Sequence, residues 1–301
     1  MLAVPFAVAS VDSEDVNADD PDVNATKVTE ESELFNAIEK SGIINIENDI
    51  TISDDLTLTI PGDVEVTIEM NGFTISSESK KTGGNRELFL VKGKLSISGP
   101  GLIAYKHTGP NMEWNAMSTV FNITAGGVVN LNDVDVINYG GTDMSFAAHL
   151  NNWGTASLNV NNCTLAAPYC AIRVFNSGND LNTVKVKNSQ IIAGKTSFWV
   201  HNYTEADFGA NYNKDAVESR LKIDIDGSND IVGKFRYGFT NSIYYPQANV
   251  IGHDFTPGLE FILPISDDTI LTFREGVEII SSISDSDGKT TELNGIITDE
   301  G

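Results

Sequence analysis

Short phrases of alternating apolar and polar residues recur along the middle of the chain. In each phrase the first, third, sixth and eighth residues are apolar or small, and the fifth is Asp or Asn. The clear copies are Val129–Val136, Leu158–Leu165 and Val184–Ile191, and weaker copies begin at Val66 and Leu95. Alternation of this kind directs one set of side chains into a core and the other set outward. A strand-based repeat of roughly 20 to 35 residues is typical of a stacked β-solenoid.

Each repeat also contains a second strand and a bend, so one coil is predicted to hold three strands. The Asp or Asn at the fifth position lies where the alternation slips by one residue. Both residue types tolerate left-handed backbone, which predicts bends at Asp133, Asn162 and Asn188. Strands that end in glycine precede the phrases, in Leu88–Gly93, Val120–Gly126, His149–Gly154 and Arg173–Gly178. We expect roughly eight to ten such coils, stacked in parallel about 4.8 Å apart.

The pattern divides the chain into four segments. Residues 1–29 are an N-terminal anchor with an acidic linker, and residues 30–41 are a short capping helix. Residues 42–204 form the solenoid, and residues 205–301 form irregular coils and loops that continue the stack. In the second segment Leu34, Phe35 and Ile38 fall on one helical face, which suits a helix that covers the open end of the coils. In the fourth segment Ile265–Ile279 repeats Ile52–Val66, so the coil is expected to return near the C-terminus.

The phrases Asp55–Gly62 and Val66–Ser76 resemble right-handed parallel β-helix proteins of the pectate-lyase-like superfamily. The likeness is closest to phage-borne or secreted non-catalytic β-helix surface proteins, and it covers roughly residues 42 to 204. It implies an all-β chain that forms a right-handed parallel β-helix, with a short N-terminal capping helix and an extended N-terminal arm. It implies no single activity, since this group contains lyases, hydrolases, adhesins and virion fibres.

The net charge of the chain is −23, from 19 basic and 42 acidic residues. Because phosphates would be repelled, we predict no nucleic-acid partner. Anionic polymers such as pectin or alginate would bind tightly only through bridging Ca²⁺. Otherwise the charge is typical of a soluble surface protein. No apolar run reaches the length of a membrane span, so none is predicted.

One row of basic side chains is the candidate for catalysis. His149 and Arg173 each lie five residues before a strand-ending glycine, so they are predicted to stack side by side on one outer face. His201 is spaced to extend this row. In polysaccharide lyases of this resemblance, such a row supplies the base that removes a proton next to a carboxylate. Those lyases also carry Asp ligands for Ca²⁺. Here the same face offers asparagines, so a solvated or interface row is favoured over an active site.

Calcium is the only cofactor that the sequence leaves open. The candidate ligands lack the dense glycine–aspartate repeat of calcium-binding solenoids, so solvated outward faces are favoured; they are Asp133, Asp135, Asp224 and Asp226. No zinc-type spacing of Cys and His is present. Cys163 and Cys170 are either joined in a disulfide or are two small residues at inner positions.

Several aromatic residues are candidates for stacking on sugar rings or for filling a core or a subunit interface. They are Trp114, Trp153, Trp199, Tyr203, Tyr244 and Tyr245.

The first ten residues are open to two interpretations. They resemble the end of a signal peptide, although the basic residues of such a peptide are missing. Alternatively, Leu2, Val4, Phe6 and Val8 alternate as an added strand would, and anchor the protein on a capsid protein, a surface-layer protein or another subunit of a homo-oligomer such as a trimer.

Three functions compete on this sequence. The favoured one is a non-catalytic structural or adhesive protein displayed on a virion, as a head decoration, fibre or tail-associated protein that contacts host glycans. The alternatives are a secreted or cell-wall glycan-binding adhesin and a polysaccharide lyase or glycoside hydrolase. All three place the chain on a virion surface, outside the cell or at the cell surface.

Overall fold

Most of the described chain forms a parallel β-solenoid of about five turns, with three strands to a turn. The computed structural model describes residues 25–80, 86–108, 117–124, 126–140, 144–151, 155–176, 182–202, 221–239, 247–250, 265–272, 278–284 and 290–296. Leu2, Val4, Phe6, Val8, Trp114, Trp153, Tyr203, Tyr244 and Tyr245 lie outside these residues.

Through most of the solenoid a strand pairs in parallel with the strand three places later, so the solenoid has three faces. Face 1 contains β1 (Thr26–Val28), β2 (Gly42–Ile46), β5 (Glu65–Glu69), β8 (Lys94–Ser98), β11 (Val128–Asn132), β14 (Ser157–Asn161) and β17 (Asn182–Lys187). Face 2 contains β3 (Ile50–Ile52), β6 (Thr74–Ser79), β9 (Leu102–His107), β12 (Asp135–Asn138) and β15 (Thr164–Ala167). Face 3 contains β4 (Leu58–Ile60), β7 (Arg86–Val91), β10 (Ser118–Thr124), β13 (Ser145–Asn151) and β16 (Cys170–Asn176).

Two long strands complete the solenoid by passing from one face to the next. The first part of β18 (Gln190–Asn202) pairs with β15 on face 2, and its second part pairs with β16 on face 3. The next strand, β19 (Leu221–Phe239), pairs with β17 and then with both parts of β18, so it contributes to all three faces.

The core is a stack of the inner residues of the repeated phrases. Every inner position predicted for the three clear phrases is buried: Val129, Leu131, Val134, Val136, Leu158, Val160, Cys163, Leu165, Val184, Val186, Ser189 and Ile191. Full burial of a Val, Leu or Ile side chain stabilises a fold by about 1.5 to 3 kcal/mol. The repeat therefore specifies the core, and the prediction of an all-β parallel solenoid is confirmed.

The bends predicted at the fifth phrase position are also confirmed. Asp133, Asn162 and Asn188 have φ angles of 55°, 53° and 50°. This left-handed backbone suits Asp and Asn, whose short polar side chains can bond locally. The Asn162 amide donates a hydrogen bond to the Asp133 carboxylate of the preceding coil, which ties successive bends together. Glycine is required in one of the predicted turns, since a Cβ on Gly93 would clash with the backbone oxygens of Pro61 and Val64.

The N-terminal end of the solenoid is covered by α1 (Glu31–Ile38), the single helix of the described residues. Leu34 and Ile38 are buried in the core, and Phe35 packs against it. The Glu31 carboxylate accepts hydrogen bonds from the backbone N–H and the hydroxyl of Ser53, at 2.6 and 2.7 Å. Ser53 directly follows β3, the first strand of face 2, so these bonds fix the helix beside the exposed edge of that sheet. The eight-residue α1 is too short to cross a membrane, so the described part of the chain contains no helix that could span one.

Strand pairing begins earlier than the sequence predicts. The strand β1 lies within the segment interpreted as an acidic linker, yet it pairs with β2 in parallel, and Val28 is fully buried. The acidic composition of the residues before Asn24 concealed this short strand, in which only Val28 is apolar.

The described residues form fewer turns than the eight to ten coils expected from the sequence, and the difference lies in the C-terminal third of the chain. The strand β21 (Ile265–Thr272) pairs in parallel with β19, so the first half of the repeated Ile265–Ile279 segment lies on the solenoid. By contrast, β20 (Gln247–Val250), β22 (Glu278–Ser284) and β23 (Thr290–Ile296) form a separate antiparallel sheet. The expected eight to ten coils are therefore wrong, because these strands pair with one another and do not stack in threes.

Candidate functional site

The predicted row of basic residues lies on face 3. His149 of β13 and Arg173 of β16 are direct partners in the register of adjacent strands, as the glycine spacing predicts. The row continues on both sides, from Leu90 and Asn122 to Trp199. Sequence spacing thus identified the correct pair of residues and their relative position.

The row is not extended by His201, contrary to the prediction. Arg173 pairs with Trp199, whereas His201 pairs with Phe175. The partner of Arg173 in the next coil is Trp199, 26 residues further along the chain, whereas His201 lies 28 residues from Arg173, so its spacing places it two residues beyond the row.

The row is also buried, whereas an outer face was expected to be solvated. His149 is 1% exposed, Arg173 4% and Trp199 7%. Trp199 belongs to a second apolar cluster, separate from the main core, and the residues of this cluster are Met144, Phe146, Cys170 and Trp199 with the partly buried Met117 and Tyr169. A buried indole offers no face to a sugar ring, so Trp199 is a packing residue here.

Arg173 is enclosed by aromatic rings. Its guanidinium carbon lies 5.4 Å from the ring centre of Phe146, 5.0 Å from that of Phe175 and 4.6 Å from that of Trp199. The guanidinium also contacts the Met117 sulfur. Desolvated cation–π contacts of this kind are worth about 2 kcal/mol or more. They explain how a cation is retained beneath an apolar cluster.

His149 is held in its neutral form. Burial lowers the pKa of His149 well below the ordinary value of 6.5, and the positive charge of Arg173 lowers it further. Its ring lies 5.7 Å from that of Phe146, and neither ring nitrogen has a hydrogen-bond partner. The buried carboxamide oxygen of Asn122, the next residue of the row, is likewise unpartnered. A neutral histidine is a competent base only where substrate can reach it, and these residues are closed to solvent.

The outward side of face 1 has a different character. Two rows of polar side chains, here called the amide rows, run through β5, β8, β11, β14 and β17 without a shift in register. The first row is Thr67, Ser96, Asn130, Asn159 and Lys185, and the second is Glu69, Ser98, Asn132, Asn161 and Lys187. The first four residues of the first row are half-buried, while the last three of the second row are exposed.

Hydrogen bonds between coils fix the amide groups of both rows. In the first row the Asn130 amide donates to the Ser96 hydroxyl at 3.1 Å, and the Asn159 amide donates to the Asn130 oxygen at 2.7 Å. In the second row the Asn161 amide donates to the Asn132 oxygen at 2.6 Å. Each amide group carries two N–H donors, and these bonds use one of them.

The charge of this surface contrasts with that of the whole chain. The strands β8, β11, β14 and β17 contain Lys94, Lys185 and Lys187 and no Asp or Glu, although the chain has 42 acidic residues. Lys94 pairs with Glu65 of the adjacent β5. The four strands themselves therefore carry no acidic residue, whereas acidic residues adjoin them on both sides, since Ser98 is the register partner of Glu69, and Lys185 and Lys187 are the register partners of Asp224 and Asp226.

The cysteines and the candidate calcium ligands do not form a metal or redox site within the described residues. Cys163 and Cys170 are both buried thiols that no disulfide joins, and burial raises the pKa of Cys163 to about 11. The Asp133 carboxylate accepts hydrogen bonds from the amides of Asn132 and Asn162. Within the described residues, no group of three or more His, Cys, Asp and Glu side chains could hold a metal ion.

The amide rows were not predicted from the sequence. They were visible as the outward positions of the phrases, where Asn, Ser and Lys recur, but these residues were interpreted only as a solvated side. The signal was the combination of amide side chains with the absence of acidic residues from four strands.

Comparison with known proteins finds no matching family model, no matching curated protein and no matching solved structure. The parallel solenoid that the resemblance implied is present in the structure. Membership of the pectate-lyase-like superfamily and a phage origin have no support from any relative.

Proposed function

We propose that this chain is a non-catalytic structural and adhesive solenoid, displayed on the surface of a virion or a cell, that holds a neutral glycan against face 1. The observation that carries the proposal is the pair of amide rows. They form a continuous polar surface, five strands long, on a rigid scaffold.

The amide rows suit a hydroxyl-rich ligand. Inter-coil hydrogen bonds hold Asn130, Asn159 and Asn161 in place, so little side-chain entropy remains to be lost on binding. Each amide retains a donor and further acceptor capacity, and a sugar hydroxyl requires both. A surface that is already ordered loses less conformational entropy on association than a surface that must first become ordered.

Charge selects the class of glycan. A polymer of uronates would meet the field of a chain with net charge −23. A neutral polymer has no charge for that field to repel, and the four acid-free strands offer it amide, hydroxyl and ammonium groups for hydrogen bonding. An uncharged polysaccharide is therefore the favoured ligand.

The burial of the basic row supports a non-catalytic function. His149 and Arg173 are the residues with which a lyase of this resemblance would remove a proton, and both are almost completely buried. Attack on a polymer requires exposed catalytic groups in a cleft, since the substrate cannot enter a packed cluster.

Display on a particle is the part of the proposal that concerns the N-terminus. The alternation of Leu2, Val4, Phe6 and Val8 favours an anchor that adds as a strand to a capsid or surface-layer protein. Deletion of residues 2–9 should leave a folded solenoid that no longer co-sediments with its particle. Co-sedimentation of the deleted form at the level of the full chain would remove this part of the proposal.

Binding of the full chain to a panel of insoluble polysaccharides tests the adhesive function. The panel contains neutral polymers of α- and β-linkage together with polygalacturonate and alginate, and depletion of protein from solution is measured. We expect binding to at least one neutral polymer and loss of that binding in Asn130→Val/Asn159→Val. The matched control is Ala104→Val/Ala166→Val, which makes two half-buried outward substitutions on face 2.

Three outcomes would contradict the proposal. Absence of binding to every polymer is one, and equal binding by the two double variants is another. The third is the appearance of unsaturated uronate products, detected by ultraviolet absorbance, which would show a lyase.

A further inference from the structure

We infer that the amide rows bind an extended, neutral β-1,4-linked polysaccharide whose chain lies along the solenoid axis, across the strands. This inference rests on the proposed function and names the ligand class and its orientation. It follows from the spacing of the two rows.

The spacing along a row matches the ligand. Successive strands of a parallel sheet are about 4.8 Å apart, so the five positions of each row recur at that interval along the axis. An extended β-1,4-linked chain advances by only slightly more per sugar. Neighbouring sugars would therefore meet neighbouring rungs, whereas α-1,4-linked glucose chains curve and would leave the row after a few sugars.

The distance between the two rows matches the width of the ligand. Asn130 and Asn132, like Asn159 and Asn161, are two residues apart on one strand, which places the rows about 7 Å apart. In an extended pyranose chain the hydroxyl groups project from the two long edges of a flat ribbon. A ribbon that lies between the rows presents one edge to each.

Amide side chains also accommodate the alternation of this ligand. Successive β-1,4-linked sugars are turned over relative to one another, so each row meets a different set of hydroxyl groups at every second rung. Carboxamide groups both donate and accept hydrogen bonds, so Asn130 and Asn159 can serve either edge without rearrangement. A row of carboxylates or lysines alone could not.

Calorimetric titration of the full chain with soluble oligosaccharides tests the inference. The probes are β-1,4-linked glucose oligomers of increasing length and α-1,4-linked glucose oligomers of the same lengths. One net hydrogen bond per sugar corresponds to about a 2- to 10-fold gain in affinity. We expect the affinity for β-1,4 oligomers to rise with each sugar until the oligomer spans the five positions of a row, and then to level off.

Variants of the second row test the orientation. A ligand that lies between the rows loses affinity in Asn132→Val/Asn161→Val as well as in Asn130→Val/Asn159→Val, by about 10-fold or more in each case. Thermal unfolding confirms that both variants are folded. If the valine variants fail to fold, the corresponding Asn→Thr pairs replace them, because Thr suits a strand and remains polar.

The outcomes separate the inference from the proposed function. Equal affinity for α- and β-linked oligomers, no dependence on length, or loss in only one of the two rows would overturn the inference, even if neutral polysaccharides in the panel were still bound through face 1. Failure of both the panel and the oligomers would overturn the proposed function itself.

Discussion

Replacement of His149 by leucine should remove an acid sensitivity of the fold without weakening it at neutral pH. His149 is buried and neutral in the folded chain, where burial and the charge of Arg173 hold its pKa well below 6.5. In the unfolded chain the histidine takes up a proton as the pH falls through about 6.5. The folded state binds this proton only at a lower pH, so its stability is full above pH 6.5 and declines as the pH falls from 6.5 toward the folded pKa.

The magnitude at neutral pH follows from what the substitution removes. Two buried ring nitrogens lack partners, and an unsatisfied buried polar group costs about 1 to 3 kcal/mol. The contact with the Phe146 ring is lost, which costs about 0.5 to 1.5 kcal/mol. Leucine already occupies the same row at Leu90, two strands away. We therefore expect His149→Leu to be as stable as the parent or more stable by about 1 to 2 kcal/mol at pH 7.5.

The pH dependence carries the sharper test. One proton taken up only on unfolding changes the free energy of unfolding by about 1.4 kcal/mol per pH unit. Urea unfolding of the parent and of His149→Leu between pH 8 and pH 5 measures the difference in slope. Below pH 6.5 the parent should lose stability faster than the variant, and by an amount that approaches this one-proton slope.

A substitution in the same row provides the control. Asn122→Leu also removes a buried polar side chain with an unpartnered oxygen, but it removes no titratable group. Asn122→Leu should change the free energy of unfolding by a similar amount at every pH, so the slope of that free energy against pH should equal that of the parent. Equal slopes for the parent and His149→Leu, or a loss of several kcal/mol at pH 7.5, would refute the reasoning.

Three further predictions concern the structure. Asn138 is buried, its amide donates to the Ser118 and Phe146 carbonyl oxygens at 3.0 and 2.9 Å, and its oxygen accepts from the Gly140 N–H at 2.9 Å. Asn138→Ala should therefore lower the free energy of unfolding, measured in urea, by about 3 to 5 kcal/mol. The control Asn130→Ala, at a half-buried position, should lower it by under about 1 kcal/mol. Val160→Asp buries an unpaired charge and should abolish folding, as measured by circular dichroism, whereas the outward Asn159→Asp should fold. A soluble, folded Val160→Asp would contradict the register. Because Cys163 and Cys170 are buried thiols outside any disulfide and the pKa of Cys163 is raised to about 11, a thiol reagent at pH 8 should modify them only after unfolding. Rapid reaction of the native protein would contradict this.

The local pattern of the sequence was sufficient for the coil. Inner residues such as Val160 and Val186 and the bends at Asp133, Asn162 and Asn188 were all predicted correctly. Each depends on interactions within one phrase and between identical positions of successive phrases. A repeat therefore contains its own packing partners, and alternation with one conformational slip specifies them.

The candidate site was only partly predictable. Glycine spacing paired His149 with Arg173, but the distance of His201 from Arg173 misplaced it, because the next coil brings a residue two positions earlier, Trp199, beside Arg173. It also gave no indication that the row is buried. The cluster beside it is assembled from separate coils, since Met117, Phe146 and Trp199 are far apart in the chain.

The sequence by itself thus determined which side of each strand faces the core, because that choice depends on a two-residue period. The tertiary structure decided which outward surfaces remain open. On face 3 an outward row is enclosed by residues from successive coils, whereas on face 1 outward residues of the same alternation remain accessible and bond to one another. Alternation fixes the direction of a side chain but carries no information about what packs over it, and that difference separates a buried cluster from a binding surface.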